Sequence, residues 1–170
     1  MDIKIFNKHS LPEELIKEGL EFIKRRFKDD WGVTREEITK VNLYSRVNAL
    51  LFNHNKVIGW VGLESNGELD NGCIEIGHKG SDLLGQLMEN VINKFHCNYY
   101  SYVPIEKFGS AIACYKASQG KIHVSDEIDI RHYKEKDVKL VKIIFTDNER
   151  ISKKSLIVKL NALKSEIIDG

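Results

Sequence analysis

Two apolar periods alternate along this chain and divide it into elements. In 83–95, Leu83, Leu84, Leu87, Met88, Val91, Ile92 and Phe95 recur at steps of one, three and four, the spacing that lays one helical face on a core. Before that helix, 57–63 reads as a buried strand, the Gly-containing segment 64–72 as a turn, and 73–76 as a second strand. Upstream, Ile3 and Ile5 flank Lys4 in an opening strand. Ser10-Leu11-Pro12-Glu13 then fits a capping box with proline in the first turn. The helix after it turns Leu15, Ile16, Leu20, Ile23 and Phe27 to one side and Lys24, Arg25, Arg26 and Lys28 to the polar side. Asp29-Asp30-Trp31-Gly32 breaks it, and 34–37 begins a short second helix. Residues 47–52 form a strand joined to the next by the tight turn Asn53-His54-Asn55-Lys56.

Downstream, the aromatic run 98–103 predicts a strand that Pro104 ends, because proline offers no N–H to a ladder. A helix over 108–118 stops at Gly120. Strands at 128–133 and 138–146 follow, joined by the polar 134–137 turn. From Ser152 onward, Leu156, Leu160, Leu163 and Ile167 mark an amphipathic C-terminal helix. The order predicts an α+β layer structure with a mixed sheet. The strands before and after the central helix are joined by a crossover and should run parallel.

Composition changes this picture little. With 170 residues and 42% apolar content, one core and one domain over 1–170 are expected, with 151–170 as its terminal helix. The 26 basic and 25 acidic side chains leave a net charge of +1, too little for a field that gathers nucleic acid or an anionic membrane. No apolar run approaches the length of a membrane span. Cys73, Cys97 and Cys114 have no metal-type spacing and suit reduced, packed thiols in a cytoplasmic protein. The six histidines are scattered, so no metal site is expected.

Local chemistry is more informative. A strand that feeds a glycine-bearing loop and then a helix leaves unpaired N–H groups at the positive end of a dipole, a place for an anion such as phosphate. Ser81 or Asp82 can cap that helix.

Two stretches carry a family resemblance. Lys56-Val57-Ile58-Gly59-Trp60-Val61-Gly62-Leu63-Glu64 resembles the third strand of the GNAT superfamily of N-acetyltransferases. Ala113-Cys114-Tyr115-Lys116-Ala117-Ser118-Gln119-Gly120-Lys121 is similar to that family's segment in which a tyrosine precedes a turn into the next strand. With the element order, the likeness covers about residues 1–146. It implies a GNAT-like α+β fold, a mixed, mostly antiparallel central sheet with helices on both faces and a splayed parallel strand pair, and an acetyl-CoA-dependent transfer to a primary amine of a small molecule or peptide.

On the same resemblance, the pantetheine arm pairs with 73–76 and the pyrophosphate meets the loop that follows. That gives Ile74, Ile76, Gly77, Lys79, Gly80, Ser81, Leu84 and Gly85 as the cofactor-binding set. The chain departs from the family pattern there: Asp82 and Leu84 stand where glycines are usual, and Asp82 brings a carboxylate towards a diphosphate. Tyr115 matches the usual general acid, since a phenol keeps its proton at neutral pH; the alternative is a core aromatic. Glu75 is the candidate base, on the side of its strand shared with Cys73 and opposite Ile74 and Ile76, or else a solvated strand carboxylate. His78 is second as base. Trp31, Trp60 and the tyrosines of 99–102 are candidates for an acceptor pocket or for core. Asp29, Asp30, Glu36 and Glu37 could draw a cationic amine. The altered loop also admits a non-catalytic binding or assembly module of the same fold, its terminal helix offering a face to a second copy in a homodimer.

Overall fold

A computed structural model describes the backbone of residues 1–75, 77–78 and 81–169, and the side chains of all of these but 81 and 167–169. Ile76, Lys79 and Gly80 of the expected cofactor set therefore lie outside the described residues. The order is β1 (Asp2–Phe6), α1 (Glu13–Trp31), α2 (Lys40–Tyr44), β2 (Val47–Asn53), β3 (Lys56–Leu63), β4 (Leu69–Ile74), α3 (Ser81–Lys94), β5 (Tyr100–Pro104), α4 (Gly109–Ser118), β6 (Ile122–His132), β7 (Asp137–Phe145) and α5 (Lys153–Asp169). Strands β1 to β4 form one antiparallel sheet in chain order, and a second antiparallel sheet runs β5-β7-β6. The two meet at a parallel bridge between Glu68 and Tyr100, which is the predicted parallel strand pair reduced to its first rung.

Helices cover both faces of the first sheet. On one, Leu50, Trp60 and Cys73 pack with Ile16, Phe22, Ile23 and Phe27 of α1 and with Leu43 of α2. On the other, Ala49, Leu51, Ile58, Val61 and Ile74 meet Leu84, Leu87, Met88 and Val91 of α3, and this core continues through β5, β7 and α5. Burying such side chains is worth about 1.5–3 kcal/mol each and sets which face each strand turns inward. Trp60 is core rather than acceptor pocket: it is fully buried over Gly19, and its Nε1 donates to Asn48 Oδ1 at 3.0 Å.

Several local expectations change. Ser10 does not cap α1. Its hydroxyl donates to the Asn7 carbonyl at 2.7 Å, and Pro12, with φ −58 and ψ 146, holds the cap position instead. Asp29, Asp30 and Trp31 remain helical, and the break falls at Gly32, whose φ of 68 supplies a left-handed cap closed by its N–H on Lys28 O. The short second helix starts at Lys40, with the Thr39 hydroxyl accepting from Asn42 N–H at 3.1 Å. Strand β4 begins at Leu69 and β6 at Ile122, both earlier than the sequence suggests.

Candidate active site

The first rung between β4 and β5 is held by Tyr100 N–H on Gly67 O at 3.2 Å and by the Ser101 hydroxyl on Leu69 O at 3.0 Å. Beyond it the strands part. Their far ends form opposite walls of a cleft of about 380 Å³, with Gly72, Cys73 and Ile74 on one side and Pro104, Lys107, Gly109 and Ser110 on the other. Asp30 and Trp31 from the end of α1, and Leu84 from α3, complete the lining.

Ladder geometry decides what β4 presents there. Glu75 N–H bonds to Ile58 O at 2.8 Å, so by antiparallel alternation the peptide groups of its neighbour Ile74 point away from β3, towards the cleft. The Ile74 carbonyl is already engaged: Arg26 Nε donates to it at 2.9 Å. Arg26, expected on the polar side of α1, is fully buried, and its guanidinium also reaches both carboxylate oxygens of Asp30, at 2.8 and 2.9 Å, and Asp29 at 3.4 Å. A buried cation needs such partners, and these satisfy it. Of the four acidic residues expected to attract an amine, Asp29 and Asp30 thus serve Arg26, Glu37 pairs with Arg35, and Glu36 is exposed.

Glu75 lies on the α1 side of β4, as the alternation implied, and forms a two-armed ion pair with Arg25, Nη1 to Oε1 at 2.9 Å and Nη2 to Oε2 at 2.6 Å. The hydrogen bond to Glu75 is the main reason that the Arg25 guanidinium rises above its ordinary range.

Tyr115 is half-buried near the C-terminal end of α4, against the larger core. Its carbonyl accepts from Gly120 N–H at 2.9 Å, and a Cβ on Gly120 would come within 3.1 Å of its ring. Of the expected site residues, the cleft brings together Ile74 and Leu84 from the cofactor set with Asp30 and Trp31 from the acceptor candidates. Tyr115 and Glu75 are not among the described residues that line it.

Around the start of α3, Gly77 has φ +89, a conformation that glycine adopts without strain. Gly85 has a packing role: a Cβ there would sit 3.2 Å from Lys116 Cβ and 3.3 Å from Ala113 O, so its absence lets α4 approach α3. Asp82 is exposed and paired with Lys116 Nζ at 2.5 Å, which holds its carboxyl below the usual range and offsets its charge at the helix start. Buried Cys73 is raised above the ordinary thiol range and buried Cys114 is pushed up to about 12, both chiefly by desolvation, which leaves them protonated. Cys97, expected to be packed, is exposed. Among the described residues there is no cluster of three metal-type ligands, and no helix is long and apolar enough to cross a membrane.

Sequence reasoning missed Arg26, Lys107 and the Gly109-Ser110 start of α4. The small pair Gly109-Ser110 after Pro104 was the one available signal, since small residues at a helix start allow close approach. Arg26 carried none.

No protein-family model matches the chain, and no curated protein matches it. Solved structures do match. The chain is similar to an acyl-CoA N-acyltransferase from Pseudomonas aeruginosa, at TM-score 0.60 and 10% identity over 84% of this chain and 99% of that one. It is similar to a ribosomal-protein-alanine N-acetyltransferase from Brucella melitensis, at TM-score 0.58 and 10% identity over 89% and 100%. A GNAT-family acetyltransferase from Streptococcus pneumoniae matches at TM-score 0.53 and 14% identity over 85% and 99%. The fold is that of the GNAT N-acetyltransferases.

Proposed function

We propose that residues 1–170 act as one domain, a cytoplasmic N-acyltransferase that moves an acetyl group from acetyl-CoA to a primary amine. The observation that carries this reading is the parting of β4 from β5 into a lined cleft, on a fold whose solved examples include acyl-CoA N-acyltransferases. The residues fit such a donor in part. Ile74 offers a cleft-facing N–H, Leu84 and Trp31 offer apolar walls, Lys107 adds a cation, and Asp82 is neutralised by Lys116. Ile76 keeps the pantetheine-side role and Gly77, Lys79, Gly80 and Ser81 the phosphate-side role that the resemblance implies, and Gly85 supports it by letting the helices pack.

Acetyl-CoA supplies an activated thioester carbon. A neutral amine nitrogen bonds to that carbon, the C–S bond breaks, and the thiolate leaves with a proton from an acid. Tyr115 is that acid in this reading, because a hydroxyl there can donate the proton that the departing thiolate takes up. Glu75 receives the amine proton in this reading, directly or through water, from its place in the ion pair with Arg25.

Thermal unfolding in the presence of CoA and acetyl-CoA tests the reading. Ligand at about a hundred times its Kd should raise Tm by roughly 5–10 °C. No rise at millimolar ligand would leave only the fold. With binding in hand, Tyr115→Phe should slow turnover by tenfold or more and leave Kd within about twofold; an unchanged rate removes Tyr115 from the chemistry.

The hold of Arg26 on the Ile74 carbonyl favours a second reading, a GNAT-fold module without catalysis, because that carbonyl belongs to the cleft edge of β4. A chain that folds cooperatively but shows neither a thermal shift with CoA nor turnover on a panel of amines would support it.

A further inference from the structure

We propose that the side-chain amide of Asn71 donates a hydrogen bond to the carbonyl oxygen of the donor's acyl group, so that this residue distinguishes an acylated donor from the free thiol. The proposal rests on the acyltransferase reading and adds to it a residue that touches the reacting carbonyl.

Asn71 is 2% exposed, yet neither its Nδ2 nor its Oδ1 has a hydrogen-bond partner in the protein. Nearly all buried polar groups are paired, and an unpaired amide is costly, so one left open points to a partner from outside the chain. Its backbone is also unusual. Trp60 pairs with Cys73 and Gly62 with Asp70, so Asn71 and Gly72 together face Val61 in a bulge, with Asn71 at φ +59. Bulges re-aim side chains and are common beside active sites.

Here Asn71 lines a chamber of about 30 Å³ in the splay between β4 and β5, with Leu69, Met88, Ser101 and Cys114 among its neighbours. The chamber adjoins the main cleft, with which it shares Trp31, Gly72, Leu84 and Ser110. It has room for about two waters, or for the oxygen and methyl of an acetyl group. Of the other polar groups on its wall, the Ser101 hydroxyl donates to Leu69 O, the buried Cys114 is a neutral, weak donor, and Asp70, Tyr102 and Ser110 are partly exposed, so Asn71 is the fully buried amide left open.

A donor aimed at this oxygen gains strength as negative charge develops on it during attack by the amine. Asn71 gives up no proton. The carbon gains its bond to nitrogen and loses its bond to sulfur, and the protons move through the acid and base already named.

Calorimetric titration of CoA and of acetyl-CoA into the wild type, Asn71→Gly and Asn71→Asp tests this. Glycine tolerates the positive φ, and aspartate keeps the shape while removing the donor. The wild type should bind acetyl-CoA about tenfold more tightly than CoA, the gain expected of one buried hydrogen bond. Asn71→Gly should bring that ratio near one with CoA affinity within about twofold of wild type, and Asn71→Asp should push it below one by repelling the carbonyl oxygen. If the glycine variant does not fold, by circular dichroism, the isosteric aspartate variant decides alone. A wild-type ratio near one, or variants that keep the wild-type preference, overturns the proposal and leaves a chamber that holds water only. A wild type that binds neither ligand overturns the acyltransferase reading, and this proposal with it.

Discussion

At Gly19 two residue-level effects oppose each other, and their sizes decide the outcome of adding a methyl group. Alanine is favoured over glycine inside a helix by about 1 kcal/mol. A Cβ at Gly19, however, would lie 2.4 Å from Trp60 Cη2, and that indole is fully buried and tethered to Asn48. Overpacking of this kind costs about 1–3 kcal/mol, so Gly19→Ala should lower the urea midpoint; a higher midpoint would mean that Trp60 can withdraw. Glu68, beside the first rung of the cleft, titrates at about 7, raised mainly by desolvation and then by Asp70, with Arg131 opposing. Between about pH 4.5 and 7 the folded chain holds a proton there that the unfolded chain has released, so stability falls as pH rises through this window. Glu68→Gln should therefore stabilise the protein at pH 8 by about 1–2 kcal/mol, allowing for the carboxylate's partial exposure, and have little effect at pH 4. Denaturant titrations at both pH values check the sign. Residue identity alone exposed neither case. Arg26 shows why: on a helical wheel it reads as surface, and its burial depends on a carbonyl 48 positions away as well as on Asp29 and Asp30.

Among the elements, α1 has the widest reach, because its C-terminal half supplies Arg25, Arg26, Asp30 and Trp31 to the cleft region. Its exit is fastened to the β6–β7 hairpin by Glu135, which accepts from Lys28 Nζ at 2.7 Å, Thr34 Oγ1 at 2.7 Å and Thr34 N–H at 3.1 Å. These contacts, Lys28 first, pull the Glu135 carboxyl down to about 2. A depressed carboxyl of this kind stabilises the fold above about pH 4.5 and loses that contribution as pH falls towards 2. In Glu135→Ala at neutral pH, the Thr34 amide should lose about tenfold in hydrogen-exchange protection. Unchanged protection would assign the loop's order to buried Val33 and Ile38 instead. Elements with strong periodicity, such as β3 and the stripe of α3, were legible from the sequence. The start of β4 was not, since Asp70-Asn71-Gly72 has turn composition and owes its strand pairing to a bulge. The first half of β6 was hidden likewise, its Ser125, Asp126 and Glu127 spanning an irregularity in register.

At the level of the whole molecule, α5 belongs to the core rather than to an outer surface. Leu156 and Leu160 are fully buried and Leu163 nearly so, packed in the larger cluster, so the described part of the face expected to meet a second subunit is covered within the chain, the Ile167 side chain lying outside the described residues. Three such leucines are worth about 5–9 kcal/mol, comparable with the total stability of a domain this size. A chain ending at Thr146 should therefore lose cooperative unfolding and near-ultraviolet dichroism; a sharp transition in that truncation would mark α5 as an appendage. The fold class and the parallel pair could be foreseen because both follow from element order. The cleft's polar contacts could not, because they depend on side chains far apart in sequence, such as Arg26 with Ile74. Each sheet, moreover, is drawn from its own half of the chain, residues 2–74 and 100–145, and they are stitched at Gly67 to Ser101 alone among their described backbone rungs. A backbone nick at 96–97 would tear no ladder, so two separately expressed fragments should find each other and rebuild the molecule from complementary surfaces, as a split reporter does.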